Sequence, residues 1–201
     1  MESLRSDFGA HMLLRGMHPA STESFTMDTG LLILRLLIAA VLFAHAMQKA
    51  AGWFHGPGLD VATHVFGKLG QTPPRTKVKL AVACEISAAV LLASGLASAV
   101  GAALAAATML VAGAALVLLT GSVWNATGGG EYPLVLAALA IGLGFTGPGA
   151  YSIDFVFGVD AWTGAHPVLT GLLVTAVTLT GALGPILATR KTLAARAVET
   201  P

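Results

Sequence analysis

Long apolar runs separated by short polar interruptions set the pattern of this chain. The first run, residues 30–48, reads LLILRLLIAAVLFAHAMQ after its opening glycine. A second extends almost unbroken over residues 78–123. At about 1.5 Å per residue it is far too long for one bilayer crossing. The small-residue stretch SGLASAVGA, around residues 95–101, is the expected tight turn between two helices. A fourth helix is expected over residues 132–147, with Pro133 in the first turn, where proline is tolerated. A fifth, apolar and threonine-rich, covers residues 167–188 and is expected to stop at Arg190 and Lys191. The pattern predicts an all-α, membrane-embedded bundle of five helices.

Between the first two spans lies AGWFHGPGLDVATHVFGKLGQTPPRTK. Leu59, Ala62, Phe66 and Leu69 recur at helical spacing, while Asp60, His64 and Lys68 step by four on another side. That predicts a short amphipathic helix at the membrane surface, anchored by Trp53 and Phe54 and ended before Pro73 and Pro74. Residues 1–26 carry Arg5, Asp7, Arg15 and Glu23 and no apolar run long enough for a signal peptide. They read as a disordered extension, with Met27 a sensible start in its own right. Residues 27–158 then form a four-helix membrane domain, and 159–201 an extra transmembrane helix with a short basic tail.

Composition fixes the solvent. Of 201 residues, 55% are hydrophobic and only 10% charged, against a usual charged share of about 25%. Mean hydropathy is +0.79, and too little polar surface is available to wrap a water-soluble core. The formal net charge of +1, with no basic stripe outside the spans, argues against nucleic acid as a partner. The single cysteine, Cys84, excludes an internal disulfide, a CxxC redox pair and a CxxCH haem attachment, and reads as a small buried hydrophobe. The basic residues divide by side: Arg5, Arg15 and Arg35 toward the N-terminus, the other eight lysines and arginines toward the first loop and the C-terminus. The positive-inside tendency places the first loop and the C-terminus in the cytoplasm.

The first span contains Arg35, His45 and Lys49, and hydrocarbon is a costly place for charge. At 100° per residue, Arg35 and Lys49 differ by about 40° around the helix and His45 lies within about 80° of Arg35, so the three share one face. Glu85 is the only acid well inside a span, about 12 Å along the second helix from Lys77. Arg35 is its expected partner, His45 the alternative. The bland reading is a buried ion pair that fixes how the first two helices register. Glu131 at the start of the fourth helix complements the helix dipole, and Tyr132 suits an interfacial anchor. A haem on His45 would need a second axial ligand at matching depth, and no other span has an interior histidine. No haem, flavin or metal site is evident, and His55, His64 and His166 fit no zinc spacing.

Taken in order, LLILRL opening the first helix, HAMQK closing it, Glu85 in the second, GGGEYPLVLAAL opening the fourth and GPGAYSID after it resemble the DoxX family of small bacterial membrane proteins. The resemblance covers about residues 31–154 and implies a four-helix core, to which the fifth helix is added. It implies a multi-pass protein of the bacterial cytoplasmic membrane, associated with a quinone-linked oxidoreductase or with a complex handling thiol and oxidative stress. A soluble redox partner and a quinone are then expected, besides lipid and a second copy of the chain. On this reading His45 and Glu85 are the candidate catalytic residues. His45 donates to a quinone oxygen, Glu85 relays the proton and Arg35 or Lys49 stabilises negative charge. Glu131 and Tyr132 can line the cytoplasmic mouth of the same pocket. The competing functions are a non-enzymatic membrane anchor for soluble redox enzymes and, with least support, a small transporter, since no inverted repeat or broken-helix pair is evident.

Overall fold

A computed structural model describes residues 19–199, and among them every regular element is helical. The helices are α1 (Pro19–Ala51), α2 (Gly58–Lys68), α3 (Pro74–Ser94), α4 (Ser98–Thr120), α5 (Glu131–Thr146), α6 (Ile153–Val156), α7 (Asp160–Ala165) and α8 (Pro167–Glu199). The expected all-α bundle is the observed fold.

Helix α1 shows how one helix serves two solvents. Arg35, Ile38, Ala39, Leu42 and Ala46 fall on one face and are buried, whereas Ile33, Leu36, Leu37 and Phe43 are exposed. An apolar residue facing outward on so many positions suits lipid rather than water. The polar-and-apolar face division expected for α2 is present: Ala62 is buried, while Asp60, His64 and Lys68 are exposed.

The long apolar run breaks where the small residues predict. The N–H of Gly95 bonds the carbonyl of Leu91, and the glycine adopts φ +67°, closing α3 in the left-handed conformation that glycine takes most readily. Pro74 starts α3, and Gly101, Ala105, Ala106, Met109 and Gly113 line the buried side of α4. Small side chains let backbones approach closely. A Cβ at Gly130, before α5, would collide with the backbone of Gly113.

Helix α4 is the hub: α3, α5 and α8 pack on it, α1 packs on α3, and α8 also packs on α5. Neighbouring contacts fix the directions. Arg35 midway along α1 reaches Leu92 near the end of α3, while Lys49 near the end of α1 reaches Glu85 earlier in α3. Thr189 toward the end of α8 meets Gln71 before α3. Thus α1, α4 and α8 run one way, α3 and α5 the other, and the two ends of the described chain lie at opposite ends of the bundle. Three of these helices contain stretches long and apolar enough to cross a bilayer on length and composition alone: Phe25–Ala51, Ser98–Thr120 and Pro167–Val198. Helix α3 carries Arg75, Lys77, Lys79 and Glu85, and α5 is short, with 16 residues.

Two expectations about the ends change. Helix α1 begins at Pro19, so residues 19–26 continue the first helix; the remainder of the expected extension lies outside the described residues. Helix α8 does not stop at Arg190 and Lys191 but continues to Glu199. Its last turns dock on the first loop, where Arg196 donates to the carbonyl of Gly67 and Leu193 packs over Gly70. Basic side chains do not break a helix when they emerge from the bilayer and find acceptors.

Candidate functional site

Glu85 is 2% exposed and sits on the buried face of α3. Its partner is Lys49, not Arg35 or His45: Lys49 Nζ donates to Glu85 Oε1 at 2.6 Å. The rotation of α1 placed all three bases on one face, but only Lys49 lies at the height where α3 presents the carboxylate. The other carboxylate oxygen, Oε2, is buried and has no hydrogen-bond partner among the described residues.

The pair closes one side of a groove of about 360 Å³ between α3, α4 and α8. Helices α3 and α8 both lean on α4 and barely meet each other, which leaves a gap between them. Leu80, Ala81 and Cys84 line it from α3, Leu104, Ala107, Val111 and Ala112 from α4, and Gly181 and Pro185 from α8. The small residues create the space: a Cβ on Gly181 would meet nothing closer than Ala107 Cβ at 3.9 Å. Polar atoms gather toward the end nearer the first loop, with Lys49, Glu85, Gln71 and Lys77. An apolar slot with a few polar groups at one end is the usual form of a small-molecule site, and the volume is in the usual range.

Arg35 belongs to a separate structure at the opposite end. Only 1% exposed, it donates through Nε to the carbonyl of Leu92 at 3.0 Å, through Nη2 to that of Tyr151 at 2.7 Å and through Nη1 to that of Pro148. Asp154 is the neighbouring opposite charge. Its carboxylate accepts from the N–H groups of Ala97 and Ser98 at 2.7 and 2.8 Å, which are donors that the start of α4 leaves unpaired. The Asp154 N–H returns a bond to Gly95 O, and Asp28 accepts from Ala150. This network ties α1, the end of α3, the start of α4 and the loop after α5 into one clamp. Arg35 therefore has no place in the groove.

His45 is absent from the groove lining and stands 5.7 Å, ring centre to ring centre, from Tyr132. Tyr132 is half exposed, and the contact links α1 to the start of α5. Glu131 Oε2 accepts from the N–H of Asn125, fastening the turn before α5. Of the six residues expected around one pocket, Lys49 and Glu85 are together, Arg35 is at the far end, and His45, Glu131 and Tyr132 line other contacts.

Asp154, within GPGAYSID, caps α4 from a distant loop, and Cys84, expected only to pack, lines the groove. The clamp joins residues 57 apart in the chain, so no local spacing signals it. The groove likewise depends on α8 approaching α4, which periodicity does not reveal. No group of histidine, cysteine and acidic residues suited to a metal ion occurs among the described residues.

An all-helical bundle with lipid-suited outer faces and a buried charge pair defines an integral membrane protein class. Within it, the DoxX family model matches residues 30–119 of the chain. The match spans most of α1, all of α2 and α3, and all but the last residue of α4, including Lys49 and Glu85; α5, Asp154 and α8 lie outside it. No curated protein and no solved structure matches the chain.

Proposed function

We propose that the protein is the membrane subunit of a quinone-linked redox system, with the α3–α4–α8 groove as the headgroup site. The observation that carries this reading is the apolar groove between α3, α4 and α8 that ends on the buried Lys49–Glu85 pair. A quinone dissolved in the bilayer needs lateral entry, an apolar slot for ring and tail, and polar contacts at one end. Lys49 would hold a ring oxygen, Glu85 would face the same oxygen through Oε2, and Leu80, Leu104 and Val111 would hold the ring and tail. The quinone itself would supply the two-electron chemistry. A soluble partner would then deliver or receive the electrons at the basic end of the bundle, where Lys68, Arg75, Lys79, Arg190, Lys191 and Arg196 stand. With that end in the cytoplasm of a bacterial cell, the basic residues obey the positive-inside tendency.

The same basic end favours a second reading, a non-enzymatic anchor that docks soluble redox enzymes. Titration with a short-chain quinone separates the two. Saturable binding to the purified protein, abolished by Gly181→Leu, which fills the groove, supports the quinone site. No binding together with intact partner capture leaves the anchor.

A further inference from the structure

The hydrogen-bond inventory of the groove goes beyond its shape. This step rests on the quinone reading above and deepens it. Glu85 presents two oxygens to a water-poor interior. Lys49 satisfies Oε1 at 2.6 Å, whereas Oε2 is buried with no donor. A carboxylate oxygen left without a donor in such a site is costly, and a ligand that supplies one is favoured. The nearby polar groups do not supply it. Thr108 gives its hydroxyl proton to Leu104 O at 2.8 Å, and Gln71 gives an amide proton to Thr189 at 2.7 Å. Lys49 keeps two further N–H donors for a ligand oxygen.

We propose that the groove prefers a hydroxyl-bearing headgroup, which for a quinone means the reduced form, because the buried Glu85 Oε2 accepts a hydrogen bond that a hydroxyl can donate and a quinone carbonyl cannot. A quinone carbonyl can accept from Lys49 but leaves Oε2 unpaired and sets a second oxygen lone pair against the carboxylate. A hydroquinone hydroxyl accepts from Lys49 and donates to Oε2 together. Glu85 is thus the specificity-determining residue and α8, beyond the DoxX match, supplies the wall that holds the ligand against it.

The test is anaerobic binding of decyl-benzoquinone, its hydroquinone and the dimethyl ether of that hydroquinone to the full chain in detergent. Hydrogen bonds to charged groups imply a preference of about tenfold to a hundredfold for the hydroquinone. The dimethyl ether, which replaces each hydroxyl proton with a methyl group and so loses the donor, should bind no more tightly than the quinone. Glu85→Gln should reduce the preference to less than about threefold, and Glu85→Asp, which retains the carboxylate, should keep part of it. Equal binding of the two redox forms, or tighter quinone, overturns the hydroxyl preference while leaving the quinone site standing. Absence of binding by all three overturns both readings. A monoacylglycerol is the lipid arm: if it displaces the hydroquinone at equal concentration, the hydroxyl preference stands and the quinone reading falls.

Discussion

At one end of the bundle Arg35 gives its guanidinium to three backbone carbonyls, and Asp154 beside it spends both oxygens on backbone N–H groups. At the other end Lys49 gives its ammonium to Glu85, whose second oxygen stays unpaired beside an open groove. Both bases sit on the same face of α1, one buried and one nearly so, yet the surroundings assign them different work. Where a buried charge is spent on backbone groups from several segments, it holds those segments together. Where a carboxylate oxygen is left over next to a groove, binding chemistry remains. Intramembrane charge marks function only after its partners are known.

Breaking the clamp should give the largest effect. Arg35→Met strands the carbonyls of Leu92, Pro148 and Tyr151 and leaves Asp154 without its neighbouring positive charge, for a loss of about 4–5 kcal/mol. Thermal melting in detergent checks this, and a melt like that of the native protein would remove the clamp from the account. Lys49→Met comes next, at about 3 kcal/mol, because it leaves the buried Glu85 carboxyl without its counter-charge and hydrogen-bond donor. Adding Glu85→Gln should recover part of that loss.

Asp154→Ala should cost less, about 1–2 kcal/mol, the usual range for a lost helix cap. It should leave the proposed quinone binding unchanged in the folded fraction, since Asp154 stands at the opposite end from the groove. His45→Gln is the smallest change, under about 1 kcal/mol for a lost ring contact with Tyr132. It should not alter ligand affinity. A tenfold loss of binding in His45→Gln would return the histidine to the site and blur the distinction between the ends.

Much of the fold was legible because bilayers allow few solutions: apolar runs become helices, glycine-rich breaks become turns, and the surface helix shows its two faces. The turn at Gly95 and the split of Ala62 from Asp60, His64 and Lys68 follow from local chemistry alone. The site was legible in its ingredients and not in its arrangement. Helical rotation put Arg35, His45 and Lys49 on one face; Arg35 and Lys49 both meet α3, while His45 meets Tyr132 of α5. Rotation says nothing about height, which decides whether Arg35 or Lys49 meets Glu85. Measuring Glu85 from Lys77 on α3 did not fix where α1 stands beside it. Asp154 escaped because a cap supplied from a distant loop leaves no spacing to read.

The pairing at Glu85 is the point on which the contrast between the two ends depends, and paired double-mutant cycles address it most directly. Melting of Lys49→Met, Arg35→Met and Glu85→Gln, with the two double variants, gives the coupling of Glu85 to each base. Coupling above about 1 kcal/mol to Lys49, with additivity toward Arg35 within about 0.5 kcal/mol, is the expected result. Coupling to Arg35 with additivity toward Lys49 would contradict it.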